Sequence, residues 1–340
     1  MFRFEHGPHV LPAFTVFFKI GLRTKSHEPA GSAAFLCLLF ALYLEKERAM
    51  SASIRQSVLY SQNFLKDPCL VARLLDRSGI RSSDVVYEIG PGKGIITGQL
   101  APRARQVVAI EKDPRLVALL LQKFADKPNV TIHAGDFLNY PLPHQAYKVF
   151  ANIPFNSTAA IVSRLTSTEY PAEEAYLIMQ KEAAEMFLGK PRESLRAILL
   201  KPWFEMEIVH RFQRKDFMPA PQVDVVMLRL RKRGPPLIHD ADKQCFHDFV
   251  VHIFTTWQPA SSTALKSIFT RRQLKYIQRE LGFDPDRTPT SILFEQWLKL
   301  FEYFKAVETE QARHIIAGRE RYLIQQQNRL QKIHRTRLAR

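Results

Sequence analysis

Three glycines stand where a chain can bring bare backbone up to a ligand. Gly90, Gly92 and Gly94 lie in "VVYEIGPGKGIIT", between an apolar, β-branched stretch that carries Glu88 and a stretch that reads as a helix. Glycine tolerates positive φ and offers no side chain to obstruct a bound group. The G-x-G-x-G spacing displaces the third glycine that a dinucleotide site uses to pack its pyrophosphate. It also lacks the Gly-Lys-Ser/Thr of a phosphate-cradling loop. Glu111 follows Gly90 by 21 residues and ends the next apolar stretch. An acid at that place can accept both hydroxyls of a ribose, although an exposed charge at a strand end would look the same. A third stretch ends in Asp136 and Phe137. Its carboxylate can accept from an exocyclic amine, and the apolar neighbour can cover a flat ring. Together the three positions favour a nucleoside-bearing cofactor with no required diphosphate, S-adenosyl-L-methionine.

A fourth stretch ends in "ANIPF". The side-chain carbonyl of Asn152 and the backbone carbonyl of Ile153 can both accept from an exocyclic amine. That pair would aim the nitrogen lone pair at a methyl donor, and no strong base is needed if the proton leaves after transfer. Pro154 fixes the turn, and Phe155 can stack on a base. A base within a duplex cannot reach such a pocket, so the substrate would be flipped out or single-stranded. The plain alternative is a turn made by Asn152 and Pro154 with Phe155 packed beneath it.

These positions need a scaffold that delivers strand ends to one crevice. Strands are expected at 84–90, 106–113, 130–136, 147–154, 175–180, 203–212 and 223–233. Helices are expected at 94–104, at 114–126 opened by Pro114, from about Ser157, and from Lys181 to a stop at Gly189. Such alternation argues for an α/β fold with a mostly parallel sheet and helices on both faces. No long helix separates the last two strands, so one of them is expected to pair antiparallel. After the linker "RGPPL" (233–237) the strand signal disappears and helical spacing takes over. The expected organisation is an extension at 1–49, an α/β domain at 50–237, a small all-helical domain at 238–306 and a basic tail at 307–340. That tail would be a solvated helix or a disordered nucleic-acid arm.

Composition narrows the partner. The 340-residue chain carries a formal net charge of +16, which suits a polyanion, nucleic acid before an anionic membrane surface. Cys37, Cys69 and Cys245 are far apart and form no CxxC pair, so no metal site or disulfide framework is expected, and the thiols fit a reducing cytoplasm. The apolar run at 31–44 falls short of the roughly 20 residues of a spanning helix. Residues 1–49 read as an upstream-start extension before Met50, a loosely docked helix or a membrane contact; no membrane association is expected for 50–340. Nothing in the sequence demands more than a monomer.

The stretches "SQNFL" (61–65), "EIGPGKG" (88–94), "IEKD" (110–113), "GDF" (135–137), "NIPF" (152–155) and "FMPAPQVD" (217–224) resemble the rRNA adenine N6-methyltransferase family over about residues 54–306. The resemblance implies a Rossmann-like methyltransferase domain followed by a small helical domain that binds RNA. It implies that Asn63 and Leu65 close over the cofactor, that Gly90 and Gly92 line its methionine side, and that Glu111 meets its ribose and Asp136 its adenine. Asn152 through Phe155 would hold the target amine and base. Small-subunit enzymes of the family usually carry Leu and then Pro-Tyr after the Asn. "NIPF", "ILLKPWFEMEIVHRF" (198–212) and "FEQWLKLF" (294–301) are more similar to the erythromycin-resistance branch, which acts on 23S rRNA. A small-subunit (16S) enzyme and a non-enzymatic transcription or assembly factor remain alternatives. Trp203 and Phe204 read more simply as sheet-packing residues. Arg164, Lys181, Lys190, Arg192, Arg196, Lys215, Arg271, Arg272 and Lys275 are candidates to guide the RNA backbone.

Overall fold

The computed structural model describes residues 63–167 and 169–329. The extension at 1–49, with its apolar run and Cys37, and residues 330–340 of the tail lie outside them. Among the described residues no helix is long and apolar enough to cross a membrane.

The chain opens with a two-residue strand, β1 (Phe64–Leu65), and helix α1 (Pro68–Asp76). Asp67 caps α1 by accepting from the Cys69 amide at 2.8 Å, and Pro68 occupies the first turn, where no donor is needed. The alternating part then runs β2 (Val85–Ile89), α2 (Ile95–Leu100), β3 (Gln106–Glu111), α3 (Pro114–Lys123), β4 (Val130–Ala134), β5 (Lys148–Asn152), α4 (Thr158–Thr166), β6 (Glu174–Gln180) and α5 (Lys181–Leu188). Next come α6 (Leu195–Leu200), β7 (Phe204–Arg211), β8 (Phe217–Met218) and β9 (Val225–Lys232). Helix α2 stops at Leu100, short of the expected residue 104: Ala101 still has helical φ and ψ and donates to the Thr97 carbonyl, but Pro102 has no N–H with which to continue the ladder. Gly189 closes α5 with φ 70°, as its position suggested.

The seven long strands form one sheet in the order β4-β3-β2-β5-β6-β9-β7. Six run in one direction; β9 alone is antiparallel, between β6 and β7, which answers the expectation for the last two strands. Side chains two apart share a face. Val85, Tyr87 and Ile89 point to the side covered by α4 and α5, with Ile161, Leu165 and Phe187. Val86, Val107 and Phe150 point to the side covered by α1 and α2, with Val71, Leu75 and Leu100. β1 and β8 pair with each other in a separate antiparallel ribbon, Phe64 opposite Met218 and Leu65 opposite Phe217.

A second core is helical: α7 (Lys243–Thr256), α8 (Ser261–Ile268), α9 (Arg271–Leu281) and α10 (Phe294–Val307). Two features differ from the sequence reading. Trp203 and Phe204 pack into this helical core, not merely against the sheet, together with Ile198 of α6, a helix that was not foreseen. The Trp203 ring lies 6.0 Å from Phe246, and its indole N–H donates to Asp240 at 3.0 Å. Beyond residue 306, α11 (Glu310–Ile316) and α12 (Arg319–Arg329) follow, and Ala312 and Ile316 are buried in the same core. The first part of the basic tail is therefore packed helix.

Candidate active site

Strand order reverses between β2 and β5, so a crevice opens outside their carboxyl ends. Gly90 leaves β2 with φ 66° and Gly92 follows with φ 59°. A Cβ on Gly90 would meet nothing within 4 Å. The space beside that bare backbone is open, as a bound group would need. Gly92 is glycine for a second reason: a Cβ there would lie 2.5 Å from the Phe64 ring.

Glu111 ends β3, only 3% exposed. Its carboxylate is turned into its own surroundings, accepting from the amides of Gly92 at 3.0 Å, Lys112 at 2.8 Å and Asp113 at 2.9 Å. Three of roughly four acceptor positions are thus taken. A ribose could use the remaining position, but accepting both hydroxyls requires Gly92 N–H to be shared or released. Asp136 lies beyond β4 and accepts from the Leu138 amide at 2.9 Å and from Lys112 Nζ at 2.9 Å. The Lys112 ammonium and that amide hold its carboxyl below the usual range, ionised and ready to accept from an amine. Phe137, expected to cover a flat ring, is 4% exposed and turned into the core.

Asn152 closes β5. Its Nδ2 donates to the backbone carbonyl of Asn63 at 2.7 Å. Because the partner is a carbonyl, the amide orientation is fixed, and Oδ1 takes no hydrogen bond among the described residues. The Ile153 amide donates to the Ile178 carbonyl at 3.2 Å, while its side chain is buried. Its own carbonyl takes no hydrogen bond among the described residues. Pro154 (φ −61°, ψ 127°) turns the chain into a single 3-10 turn at Phe155–Ser157, and half-buried Phe155 packs along the edge of the α1–α2 side core.

The sequence reading missed how these parts are joined. The ribbon β1–β8 holds segment 63–65, reinforced by Lys66 N–H donating to the Asp216 carbonyl at 3.1 Å. Within that segment Leu65 is a core residue, Asn63 supplies the carbonyl that orients Asn152, and Phe64 roofs Gly92. Lys93 Nζ sits 5.9 Å from the Phe64 centroid. The alternation "NFL" carried the signal: Phe64 points opposite to its two neighbours. Glu88 was also passed over as a site residue. It is 1% exposed, accepts from the Thr97 hydroxyl at 2.6 Å and, mainly through burial, has its pKa pushed up to about 8.

The basic candidates divide. Arg164 is half-buried and donates to the Tyr140 carbonyl, and Lys181 lies near Asp224 (3.8 Å) and Glu185 (4.0 Å). Lys190, Arg192, Arg196, Lys215, Arg271, Arg272 and Lys275 are exposed.

Comparison with known proteins agrees with this arrangement. The family model for ribosomal RNA adenine dimethylases matches residues 54–306. The chain belongs to the ribosomal RNA adenine dimethylase family. Its members are S-adenosylmethionine-dependent methyltransferases, and the enzyme class follows from that membership. An rRNA adenine N-6-methyltransferase of Saccharopolyspora erythraea is 34% identical over 72% of this chain and 64% of its own length. A ribosomal RNA small subunit methyltransferase A of Bacillus mycoides is 31% identical over 70% of this chain and 88% of its own. The crystal structure of the 23S rRNA methyltransferase ErmE superposes with a TM-score of 0.67 at 33% identity, covering 72% of this chain and 100% of that one. The Rossmann-like dimethylase fold with a helical C-terminal part is thus shared. So is the span expected from the sequence.

Proposed function

We propose that this dimethylase-family chain transfers methyl groups from S-adenosylmethionine to N6 of an adenine in 23S rRNA, in the cytoplasm, and so confers resistance to macrolide-type drugs. The observation that carries the reading is the pinned amide: Asn152 gives its N–H to Asn63 and keeps Oδ1 for the substrate. Oδ1 and the Ile153 carbonyl would each accept one N6–H. That draws the nitrogen lone pair out of conjugation with the ring and aims it at the crevice, a gain from orientation and placed dipoles. When bound, the cofactor supplies an electrophilic methyl on a sulfonium. Asn152 and the Ile153 carbonyl would hold the amine for that transfer, and the amine proton would pass to solvent afterwards. In this reading Gly90 leaves room for the methionine part, Glu111 offers its one remaining acceptor position to the ribose, and Asp136 accepts from the adenine amine. Phe155 stacks on the target base.

The 23S assignment is supported by "NIPF" and by the likeness to ErmE along that chain's full length. The 31% identity to a small-subunit enzyme keeps 16S rRNA as the second reading. The test is transfer of labelled methyl to purified 23S and 16S rRNA with the modified nucleotide mapped. Label at an adenine of 23S rRNA is expected. Label only in 16S rRNA would move the protein to the small-subunit branch, and label in neither would overturn the substrate.

A further inference from the structure

Helix α9 carries a stripe that the methyl-transfer site does not use. Arg272, Lys275, Tyr276 and Arg279 stand at i, i+3, i+4 and i+7, one face of a helix. Leu274 and Ile277 anchor the opposite face in the helical core. All four stripe residues are exposed, Tyr276 by 45% despite its size. Its ring is not loose. It stacks on Tyr303 of α10 at 5.4 Å with planes 26° apart, and Tyr303 in turn lies 6.0 Å from the buried Phe269. A flat aromatic surface is thus propped from the core outward and ends at solvent.

The charges around it are available. Arg272 and Lys275 join no ion pair among the described residues. Arg279 meets only its exposed neighbour Glu280 at 3.2 Å, a contact of little energetic weight, and its guanidinium lies 5.7 Å from the Tyr276 centroid. An aromatic face with cations one turn to either side is the chemistry of single-stranded nucleic acid. The ring stacks on a base, and the cations take the flanking phosphates. The chain's net charge of +16 points to a polyanion as the partner.

We propose that Tyr276, backed by Tyr303 and flanked by Arg272, Lys275 and Arg279, is a stacking platform for an unpaired base of RNA, separate from the Asn152 pocket. It rests on the reading of rRNA as substrate and adds a second point of hold. An arriving base takes the outer face of Tyr276 and moves the Arg279 guanidinium onto the adjoining phosphate.

The test is the affinity of full-length protein for an unstructured RNA oligomer, by fluorescence anisotropy at two salt concentrations, beside methyl transfer to whole rRNA. Tyr276→Ala is expected to weaken oligomer binding about tenfold, whereas Tyr276→Phe, which keeps the ring, stays within about twofold. Lys275→Glu should flatten the salt dependence. At saturating rRNA, kcat should hold for Tyr276→Ala while KM rises. Ultraviolet crosslinking should mark the peptide bearing Tyr276. Unchanged oligomer affinity in Tyr276→Ala, or crosslinks confined to other helices, would overturn the platform. So would a loss of binding seen only with protein-bearing ribosomal particles, which would make the stripe a protein contact. If wild type methylates no rRNA yet Tyr276→Ala still weakens the oligomer, the platform stands and the substrate assignment falls.

Discussion

At the scale of single residues, orientation matters more than identity. In the proposed reaction Asn152 matters because Nδ2 is committed to the Asn63 carbonyl, which leaves Oδ1 to accept from the substrate amine. Asn152→Ala is expected to lower kcat about 100-fold or more, the order lost when one preorganised polar group is removed from a reacting centre. RNA affinity should stay near normal, which filter binding beside a single-turnover assay will show. Asn152→Asp should fare little better: it still accepts, but it loses the bond to Asn63 and sets a carboxylate against a carbonyl. Glu88 makes a different prediction. Burial raises its pKa from 4.5 to about 8, with Thr97 opposing and the Glu111 charge adding to the rise. Between those two values the folded chain holds a proton that the unfolded chain releases. Ligand-free stability is therefore greatest below about pH 4.5 as far as this group is concerned. It falls by about 1.4 kcal/mol per pH unit up to about pH 8, then levels off. Glu88→Gln, which still accepts from Thr97, should remove that slope. Urea unfolding at several pH values measures it.

At the scale of elements, the site depends on a two-stranded ribbon that sequence patterning hardly announces. β1 and β8 are two residues each, and their partners lie about 150 positions apart. The ribbon nonetheless sets Phe64 over the glycine turn and Asn63 beside Asn152. Gly92→Ala would force a non-glycine residue to φ 59° and drive its Cβ to 2.5 Å from Phe64. The conformational part alone costs about 1–2 kcal/mol. A lower Tm and weaker cofactor binding by calorimetry are expected. Adding Phe64→Leu should recover part of the packing loss but none of the backbone cost.

At the scale of the whole molecule, the α/β sheet and the helical core are joined through α6 and the start of β7, where Ile198, Trp203 and Phe204 enter the helical core. The same core extends past the family match into α11, through Ala312 and Ile316, and α12 is tied to α7 by hydrogen bonds. Asp248 of α7, 5% exposed, accepts from the Gly318 amide at 3.0 Å and the Glu320 amide at 2.8 Å, and so caps α12. Glu320 also meets His247 Nδ1 at 2.8 Å. These helices are therefore structural. Ile316→Ala is expected to cost about 2–5 kcal/mol, the usual range for a buried large-to-small change. Removing residues 308–340 should lower Tm further and expose apolar surface of α7, read as dye binding in a thermal scan.

The sequence by itself determined the alternating part of the fold and the places where chemistry could occur. Strand patterning, Pro at helix starts and Gly at stops are local signals; Glu111 and Asn152 end strands that such signals define, and Gly90 and Asp136 follow the ends of two others. Only the tertiary structure decided what those ends face. Glu111 is drawn back by three backbone amides, Phe137 is buried, Phe64 and Asn63 complete the site from a distant ribbon, and Trp203 belongs to the helical core. The reason is physical. Periodicity and capping depend on neighbours in the chain, whereas the direction of a hydrogen bond and the burial of a ring depend on residues that only folding brings together.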